Sequence, residues 1–301
     1  MKLFTFPAFH HLAGELAAGA STVELGECRV ERHANGELWI ELQSAVEGVD
    51  CAALGTLQPP DRDLAEFLLL CDTLRRAGAR SVLAILPYFA YARQDRYEPR
   101  CSLAAAWVGA LLAASGVTQV LTLDVHSPHV APLLPIPLRS QGSAALFARA
   151  LAGRLVGATL VAPDEGAIER CAQLRQATGL ELPMAHFHKV RSKAGVRVHL
   201  VGAVSERAVV FDDILDTGGT LVACAEALHT AGARQISVGV THGLFTGTAW
   251  QRLWSLGVDR LVCTDSVGTR PTADARVEVI ACAPALLPGL RALSELFEAV
   301  A

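Results

Sequence analysis

Short apolar runs alternate with longer segments of helical period along most of the chain. The runs are rich in Val, Leu and Ile, as in buried strands, and lie at 80–86, 118–123, 158–161, 207–211, 234–241 and 260–264. Longer segments with apolar residues three and four positions apart predict helices at 62–77, 102–115, 141–153, 165–178, 217–231, 247–256 and 285–298. Strands that alternate with helices indicate an α/β fold with mainly parallel sheets flanked by helices.

The two halves of the chain resemble each other in sequence. Residues 67–86 align with 221–240 at an offset of 154 residues, and the tetrapeptide Ala-Gly-Ala-Arg occurs in both, at 77–80 and at 231–234. In each half a predicted helix ends at a glycine and an apolar strand follows. Because 301 residues are enough for two domains, we predict two similar domains, 1–140 and 141–301, with the last helix free to pack back on the first domain.

A glycine-rich acidic loop occurs in the second half only. Its sequence, DDILDTGGT at 212–220, follows an apolar run and leads into a predicted helix. Glycines let a backbone approach a ligand closely, and a helix N-terminus attracts anions. We therefore interpret the loop as a phosphate cradle rather than as a merely capped helix. Asp212 and Asp213 are suited to sugar hydroxyls or to a hydrated Mg²⁺. The loop resembles the phosphoribosyl-binding loop of the type I phosphoribosyltransferase fold.

Composition excludes several classes of protein. The 51% of hydrophobic residues argue against disorder, and the net charge of −4 argues against nucleic acid or an anionic membrane as partner. No run of apolar residues is long enough for a transmembrane span, and the N-terminal residues do not predict a cleaved signal peptide. The eight cysteines are scattered singly, without C-x-x-C spacing, which predicts free thiols in a reducing compartment, the cytoplasm.

Lysine is rare in this chain and unevenly placed. Only Lys2, Lys189 and Lys193 occur among 26 basic residues, so two of the three lie within five residues of each other. Lys189 and Arg191 follow the apolar run at 184–188 and open a polar segment that predicts a β-hairpin or a flap. An ordinary exposed basic turn is the alternative interpretation, but a lysine is also a movable point charge that can follow a migrating phosphoryl group.

Several further motifs resemble one enzyme family. They are PYFAYARQDR at 87–96, VLTLDVH at 120–126, APDEG at 162–166 and HKVR at 188–191. Together with the acidic loop they are collinear over nearly the whole chain and resemble the ribose-phosphate pyrophosphokinase (PRPP synthetase) family. The resemblance implies two type I phosphoribosyltransferase-like domains. It also implies transfer of the diphosphoryl group of MgATP to the C1 hydroxyl of ribose 5-phosphate, which gives PRPP and AMP.

The resemblance also implies roles for particular residues. It makes Lys189 and Arg191 catalytic, as groups that stabilise the transition state. It implies ATP binding by His33, Asn35, Glu37, Arg93, Gln94, Arg96 and His126. It implies ribose 5-phosphate binding by Asp212, Asp213, Asp216, Thr217, Gly218, Gly219 and Thr220. It implies Mg²⁺ as cofactor, with His126 and Asp164 as ligands; His129 has no such support.

The chain departs from the family pattern in two places. The stretch at 32–37 resembles the one with which family members reach the ATP of a neighbouring subunit, so we expect a homo-oligomer, a dimer or an assembly of dimers. His33 stands there in place of the usual Phe, and Asn35 in place of Asp. The loop at 97–102 is also short and lacks the usual lysines. The phosphate activation and ADP inhibition of the family therefore do not follow from the resemblance.

Two alternatives to a PRPP synthetase remain at this point. A type I phosphoribosyltransferase shares the acidic loop but gives no reason for a duplicated half or for the motif at 87–96. A non-catalytic regulatory homologue of the synthetase is expected to have lost residues of the cleft, yet His126, Asp164 and Lys189 are all present.

Overall fold

The computed structural model describes residues 1–192, 195–268 and 274–299. The chain divides into two compact units, one made of Met1–Gln141 with Cys282–Ala301 and the other of Gly142–Ala281. The C-terminal helix, which the predicted domain 141–301 included, therefore groups with the first unit. Among the described residues, no helix has both the length and the apolar character that crossing a membrane requires.

The first unit is built on a parallel sheet of six strands in the order β2-β1-β5-β6-β7-β8. Between β2 and β5 the chain forms a separate antiparallel ribbon of two strands, β3 and β4. The strands are β1 (Lys2–Thr5), β2 (Glu24–Leu25), β3 (Cys28–Arg32), β4 (Leu38–Leu42), β5 (Asp50–Leu54), β6 (Ser81–Leu86), β7 (Gln119–Leu123) and β8 (Leu138–Gln141). The helices are α1 (His10–Gly19), α2 (Asp61–Arg76), α3 (Ala104–Ala114) and α8 (Ala283–Ala299).

Helices cover both faces of this sheet. Every residue of β5 and β6 is buried, which explains why only apolar residues follow Asp50 and Ser81 at the starts of these strands. Leu83 and Ile85 share one core cluster with Leu12 of α1 and Leu290 of α8. Because strand residues alternate between faces, the intervening positions of β5 and β6 face the other side, where α2 packs.

The second unit contains a seven-stranded sheet in the order β11-β10-β9-β12-β13-β14-β15. All its neighbours run parallel except β10 and β11, which form an antiparallel hairpin. The strands are β9 (Thr159–Ala162), β10 (Met184–Ser192), β11 (Gly195–Val201), β12 (Arg207–Leu215), β13 (Gln235–Gly243), β14 (Val258–Thr264) and β15 (Val277–Ile280). The helices are α4 (Ala144–Ala150), α5 (Ala152–Leu155), α6 (Ile168–Thr178) and α7 (Gly219–Thr230).

Both units repeat one strand order. The order β10-β9-β12-β13-β14-β15 in the second unit matches β2-β1-β5-β6-β7-β8 in the first. The connection from α2 to β6 corresponds to the connection from α7 to β13. The two similar sequence segments, 67–86 and 221–240, lie at these connections. Gly78 and Gly232 end the two helices with φ of 89° and 101°, a left-handed conformation that glycine adopts without strain. The predicted α/β class, with two similar units of mainly parallel strands, is confirmed.

Two predicted helices take a different form. The segment Ala249–Leu256 is a 3-10 helix. In a 3-10 helix residues three apart are aligned, and here that alignment places Trp250 and Leu253 in the core of the second unit. The helix predicted at 141–153 is divided at Leu151 into α4 and α5. Leu151 is fully buried beside Leu155 and Phe147, so both short helices direct apolar residues into one cluster.

Candidate active site

The carboxyl ends of β9 and β12 meet at the point where the strand order of the second unit reverses. Within the sheet β9 lies between β10, the next strand in the chain, and β12, from which the remaining strands continue in the opposite direction across the sheet. Ligands of open parallel sheets bind in the crevice at such a switch point. Asp164 lies two residues beyond β9, and Asp212 and Asp213 lie in the last half of β12. The fold thus brings three of the predicted site residues to one edge.

Asp212 and Asp213 form a largely buried acidic pair with Arg170. The Nη1 atom of Arg170 lies 3.7 Å from Oδ1 of each carboxylate. The Asp212 side chain is 13% exposed and the Asp213 side chain 6%. Burial raises the pKa of Asp212 well above its ordinary value, and the neighbouring carboxylates of Asp213 and Asp164 raise it further, while Arg170 opposes the shift. Asp212 therefore holds a proton more readily than an exposed aspartate does, and a cation nearby would favour its ionised form.

The acidic loop continues from β12 into the N-terminus of α7. Gly218 precedes the first residue of α7 with φ of 84°, and the N–H of Val222 donates to its carbonyl oxygen at 2.8 Å. The segment after β13 supports the loop backbone, because the N–H of Leu244 donates to the Leu215 carbonyl (2.8 Å) and that of Thr246 to the Asp216 carbonyl (3.1 Å). The first N–H groups of a helix have no partner within the helix, so this loop presents donors suited to a phosphate.

Asp164 is held in place by its own turn. Its Oδ1 accepts a hydrogen bond from the N–H of Ala167 at 3.2 Å, which caps the 3-10 turn that leads into α6. The next residue, Glu165, lies 2.7 Å from Nδ1 of His188, at the base of the β10-β11 hairpin. The predicted hairpin is thus present, and its base is linked to the loop that carries Asp164.

The predicted catalytic residues lie in that hairpin. The backbones of Lys189 and Arg191 are in β10, opposite Val198 and Val196 of β11. Their side chains lie outside the described part of the structure, as does Lys193. Their catalytic role stays a prediction.

The first unit carries most of the predicted ATP-binding residues at the carboxyl ends of β6 and β7. The motif at 87–96 follows β6, and Arg93, Gln94 and Arg96 in it are exposed. Tyr91 has φ of 65°, unusual for a residue with a side chain, and its hydroxyl donates to Asp61 Oδ1 at 2.8 Å. Gln94 is positioned by the Ser102 hydroxyl, which donates to its Oε1. The loop at 97–102 thus closes back on the motif.

His126 lies beyond the adjacent strand. Asp124 ends β7 with φ of 37°, and its N–H donates to the Gln141 carbonyl at 2.8 Å. His126 follows two residues later and is exposed. It belongs to the first unit and Asp164 to the second. Among the described residues no three His, Cys, Asp or Glu side chains are grouped to hold a metal ion.

His33, Asn35 and Glu37 lie at the exposed tip of the β3-β4 ribbon. The Asn35 side chain accepts a hydrogen bond from the Glu37 N–H at 3.1 Å, and the His33 N–H donates to the Glu37 carbonyl at 2.8 Å. Asn35 therefore closes a tight turn, which an Asp would close with the same acceptor oxygen. An ion pair between Arg32 and Glu66 fastens this ribbon to α2. The substitution of Asn for Asp leaves the shape of the turn unchanged.

Comparisons with known proteins agree with this geometry. A model for the N-terminal domain of ribose phosphate pyrophosphokinase matches residues 1–116, and a model for a phosphoribosyl synthetase-associated domain matches residues 169–281. The ribose-phosphate pyrophosphokinase of Granulibacter bethesdensis is 36% identical over 290 residues, which cover 93% of each chain. The chain belongs to the ribose-phosphate pyrophosphokinase family. This confirms the predicted family and enzyme class.

Other members of the ribose-phosphate pyrophosphokinase family show similar agreement. The Thermotoga maritima enzyme is 33% identical over 274 residues, or 89% of this chain and 87% of that one. The crystal structure of phosphoribosylpyrophosphate synthetase from Mycobacterium smegmatis superimposes with a TM-score of 0.87 at 28% identity, covering 98% of this chain and 99% of that one. The similarity therefore extends over both units.

Arg170 is the site residue that the sequence analysis missed. Its acidic partners follow it by more than forty residues, so no local motif joins them. One signal was available: Arg170 is the third residue of α6, and a cation at a helix N-terminus is unfavourable unless an anion lies nearby. An arginine in the first turn of a helix that follows a strand-end aspartate points to an acidic partner.

Proposed function

We propose that this chain is a ribose-phosphate diphosphokinase, which transfers the diphosphoryl group of MgATP to the C1 hydroxyl of ribose 5-phosphate. The observation that supports it best is the acidic, glycine-rich loop at the switch point of the second unit, in a chain 36% identical over 93% of its length to a ribose-phosphate pyrophosphokinase. In the reaction the C1 oxygen bonds to the β-phosphorus of ATP. The bond between that phosphorus and the oxygen bridging it to the α-phosphorus breaks, AMP leaves, and the hydroxyl loses its proton.

The loop at 212–220 is the proposed ribose 5-phosphate site. The N–H groups at the start of α7 and the hydroxyls of Thr217 and Thr220 would hold the 5-phosphate. Asp212 and Asp213 would accept hydrogen bonds from the ribose hydroxyls, which fixes the direction in which C1 points. Asp216 lies at the bend between β12 and α7, where its carbonyl is already held by Thr246.

The motif at 87–96 and His126 supply the proposed ATP site. Arg93 and Arg96 provide positive charge for the phosphates, and Gln94, positioned by Ser102, can hydrogen-bond the nucleotide. The ribbon tip with His33, Asn35 and Glu37 would act on the ATP of a second copy in a homo-oligomer. Its exposure is compatible with such a role.

Mg²⁺ fits the donors of the second unit in kind. Mg²⁺ prefers oxygen ligands and binds through one or two carboxylates together with substrate phosphates. Asp164 supplies such a carboxylate, and a cation nearby would stabilise the ionised form of Asp212, whose pKa is raised by burial and by the neighbouring carboxylates. Asp164 would hold the ion in the second unit, and His126 stays a ligand predicted from the family resemblance; when bound, the ion would offset the charge of the phosphates.

Lys189 and Arg191 are the proposed transition-state residues. A charge that acts mainly on the migrating phosphoryl groups raises kcat more than it improves binding. Their place in a hairpin linked to the Asp164 loop through Glu165 and His188 is compatible with this role. With eight free cysteines, a reducing compartment such as the cytoplasm stays our prediction for the location.

The test is an assay of AMP release from MgATP with and without ribose 5-phosphate. We expect release only with ribose 5-phosphate, together with a product that a phosphoribosyltransferase consumes. Lys189→Ala should lower kcat by two to three orders of magnitude, about 3–4 kcal/mol, with little change in either KM. Lys193→Ala, which removes the same charge from the same segment, is the control and should retain activity.

Other outcomes identify the alternatives. Consumption of PRPP with a base, without AMP formation, would indicate a phosphoribosyltransferase. A folded protein without either activity would indicate a regulatory homologue.

A further inference from the structure

Arg170 occupies a position that its local sequence does not favour. It stands in the first turn of α6, where the helix dipole gives the helix end a partial positive charge. The helix is nevertheless fixed against β12 at this point, because the thiol of the next residue, Cys171, donates to the Phe211 carbonyl at 3.6 Å. Contacts between consecutive residues of α6 and β12 therefore place the guanidinium beside the acidic pair.

A single nitrogen of Arg170 serves both carboxylates. Its Nη1 is 3.7 Å from Asp212 Oδ1 and 3.7 Å from Asp213 Oδ1. These distances exceed those of hydrogen bonds, so Arg170 acts on the two carboxyl groups as a nearby positive charge, which favours their ionised forms. The Arg170 side chain is only 13% exposed, which limits screening by solvent.

The two carboxylates need this charge to share one site. Asp212 and Asp213 are consecutive residues, and the Asp212 carboxylate also accepts the N–H of Asp213 at 2.9 Å. Two carboxyl groups held this close repel each other when both are ionised, and burial takes away most of the water that would separate their charges. Without Arg170 we expect the pair to turn apart or to recruit a cation, and either change would move the oxygens that face a ligand.

We propose that Arg170 is a positioning residue for ribose 5-phosphate, which holds Asp212 and Asp213 in the orientation that accepts hydrogen bonds from the ribose hydroxyls. The inference rests on the proposed function of the acidic loop. Arg170 acts through the two carboxylates rather than on the reacting atoms. Its loss should therefore weaken the recognition of the sugar and leave that of the nucleotide nearly intact.

The experiment compares Arg170→Met with Arg170→Lys in the full chain. Methionine keeps an aliphatic stem of similar length but no charge, whereas lysine keeps a point charge. For Arg170→Met we expect the KM for ribose 5-phosphate, at saturating MgATP, to rise tenfold or more while the KM for MgATP stays within twofold. Arg170→Lys should restore the KM for ribose 5-phosphate to within threefold of the wild type.

Arg175→Met is the matched control, since Arg175 is an exposed residue of the same helix. It changes the net charge equally and should alter neither KM. A thermal unfolding curve for each variant separates loss of fold from loss of recognition. If Arg170→Met does not fold, the lysine variant alone decides, because a tenfold rise in KM for ribose 5-phosphate in folded Arg170→Lys contradicts positioning by charge.

The remaining results distinguish this inference from the proposed function. An active wild type whose KM for ribose 5-phosphate is unchanged in Arg170→Met overturns the role of Arg170 and leaves the proposed function standing. Equal rises in both KM values, with no recovery in the lysine variant, reduce Arg170 to a general structural residue. A wild type that releases no AMP in the presence of ribose 5-phosphate overturns both.

Discussion

Two consecutive glycines in the acidic loop have opposite surroundings. A Cβ on Gly218 would lie 2.6 Å from Cβ and 2.7 Å from Cα of Trp250, and its φ of 84° disfavours other residues. A Cβ on Gly219 would meet only the Thr217 hydroxyl, at 4.0 Å. The fold thus requires the first glycine, whereas a side chain at the second would meet open space beside the loop.

We expect Gly219→Val to raise the KM for ribose 5-phosphate at least tenfold while shifting the thermal midpoint little. The valine side chain would occupy space that the phosphate needs, and its backbone conformation there is unstrained. Gly218→Ala is the matched comparison and should destabilise the protein by about 1–3 kcal/mol, the typical range for backbone strain. Initial rates and thermal unfolding measure the two effects. An unchanged KM in Gly219→Val would remove the loop from the substrate site.

Arg170 and Asp164 show why the site was only partly predictable at the residue scale. Asp164 follows a recognisable strand within a local motif, so its sequence neighbours identify it. Arg170 gains its importance from residues on β12, and only the packing of α6 on that strand brings them together. A contact made by tertiary packing between distant residues leaves no pattern in a single sequence.

At the scale of elements, the predicted strands are apolar runs in the interior of the two sheets. Burial alone did not decide the prediction, because β5 is buried along its whole length but was missed; its five residues begin with Asp50 and include two alanines. β6 is apolar after Ser81, and β13 is mostly apolar over its first six residues, because neighbouring elements cover both sides of the parallel sheet. The β3-β4 ribbon was also missed. Cys28 and Val30 alternate with polar residues in β3, but each strand has only five residues, and most of them are exposed or half-buried. An apolar run in the sequence predicts a strand when the strand is long and buried, and the β3-β4 ribbon is neither.

An ion pair between the nearly buried Asp50 and the exposed Arg80 joins the starts of two central strands of the first unit. Asp50, the first residue of β5, is nearly buried and accepts a hydrogen bond from Arg80 Nε at 2.9 Å and from the Ser81 hydroxyl at 2.6 Å. The hydrogen bond from Arg80 is the main cause that lowers the pKa of Asp50 below its ordinary value. The folded state therefore favours the ionised carboxylate.

We expect Asp50→Asn to lower the free energy of unfolding by about 1–3 kcal/mol at pH 7, because Arg80 and Ser81 lose a charged acceptor. A folded-state pKa below the unfolded one stabilises the fold above the unfolded pKa of about 3.9. That contribution disappears as the pH falls through the folded value. The gap between wild type and variant should therefore narrow between pH 5 and pH 3, as measured by urea unfolding. A constant gap over that range would contradict the assignment.

Asp72→Asn is the control for this prediction. Asp72 pairs with Arg75 and Arg76 on the exposed side of α2, and these bonds also lower its pKa. Because exposed helix pairs contribute little, we expect a change of about 0–1 kcal/mol at pH 7. The comparison separates burial from the mere loss of a charge.

At the scale of the whole molecule, one architecture serves two tasks through different loops. Both units place a loop and a helix after the equivalent strands β5 and β12. In the second unit that loop is the acidic, glycine-rich segment at 212–220, whereas in the first it is Gly-Thr-Leu-Gln-Pro-Pro at 55–60, without an acidic residue. The sequence showed the duplication only where both units have a helix, a glycine and a strand in succession, at 67–86 and 221–240. It showed the difference between the units as the acidic segment at 212–220, which has no counterpart in the first unit.

The regulation of the whole enzyme is where we expect this chain to differ from its family. The family resemblance implies phosphate activation and ADP inhibition through a site near the loop that follows Arg96. Binding an anion there needs clustered cations or free N–H donors, each charge-assisted bond contributing about 1.5–3 kcal/mol. In this chain the loop at 97–102 has one cation, Arg100, which follows Glu98, a residue that repels an anion, and Pro99, which has no N–H. The hydroxyl of Ser102 is already bonded to Gln94.

We therefore predict activity without added phosphate, and inhibition by ADP only through competition with ATP. The measurement is the initial rate as phosphate is added to a buffer made without it. ADP inhibition is recorded at several ATP concentrations. Increasing ATP should relieve the inhibition fully, because without a second anion site ADP has only the nucleotide site to occupy. A rate near zero that climbs steeply with phosphate, or ADP inhibition that persists at saturating ATP, would show that cations elsewhere in the chain replace those missing from the loop.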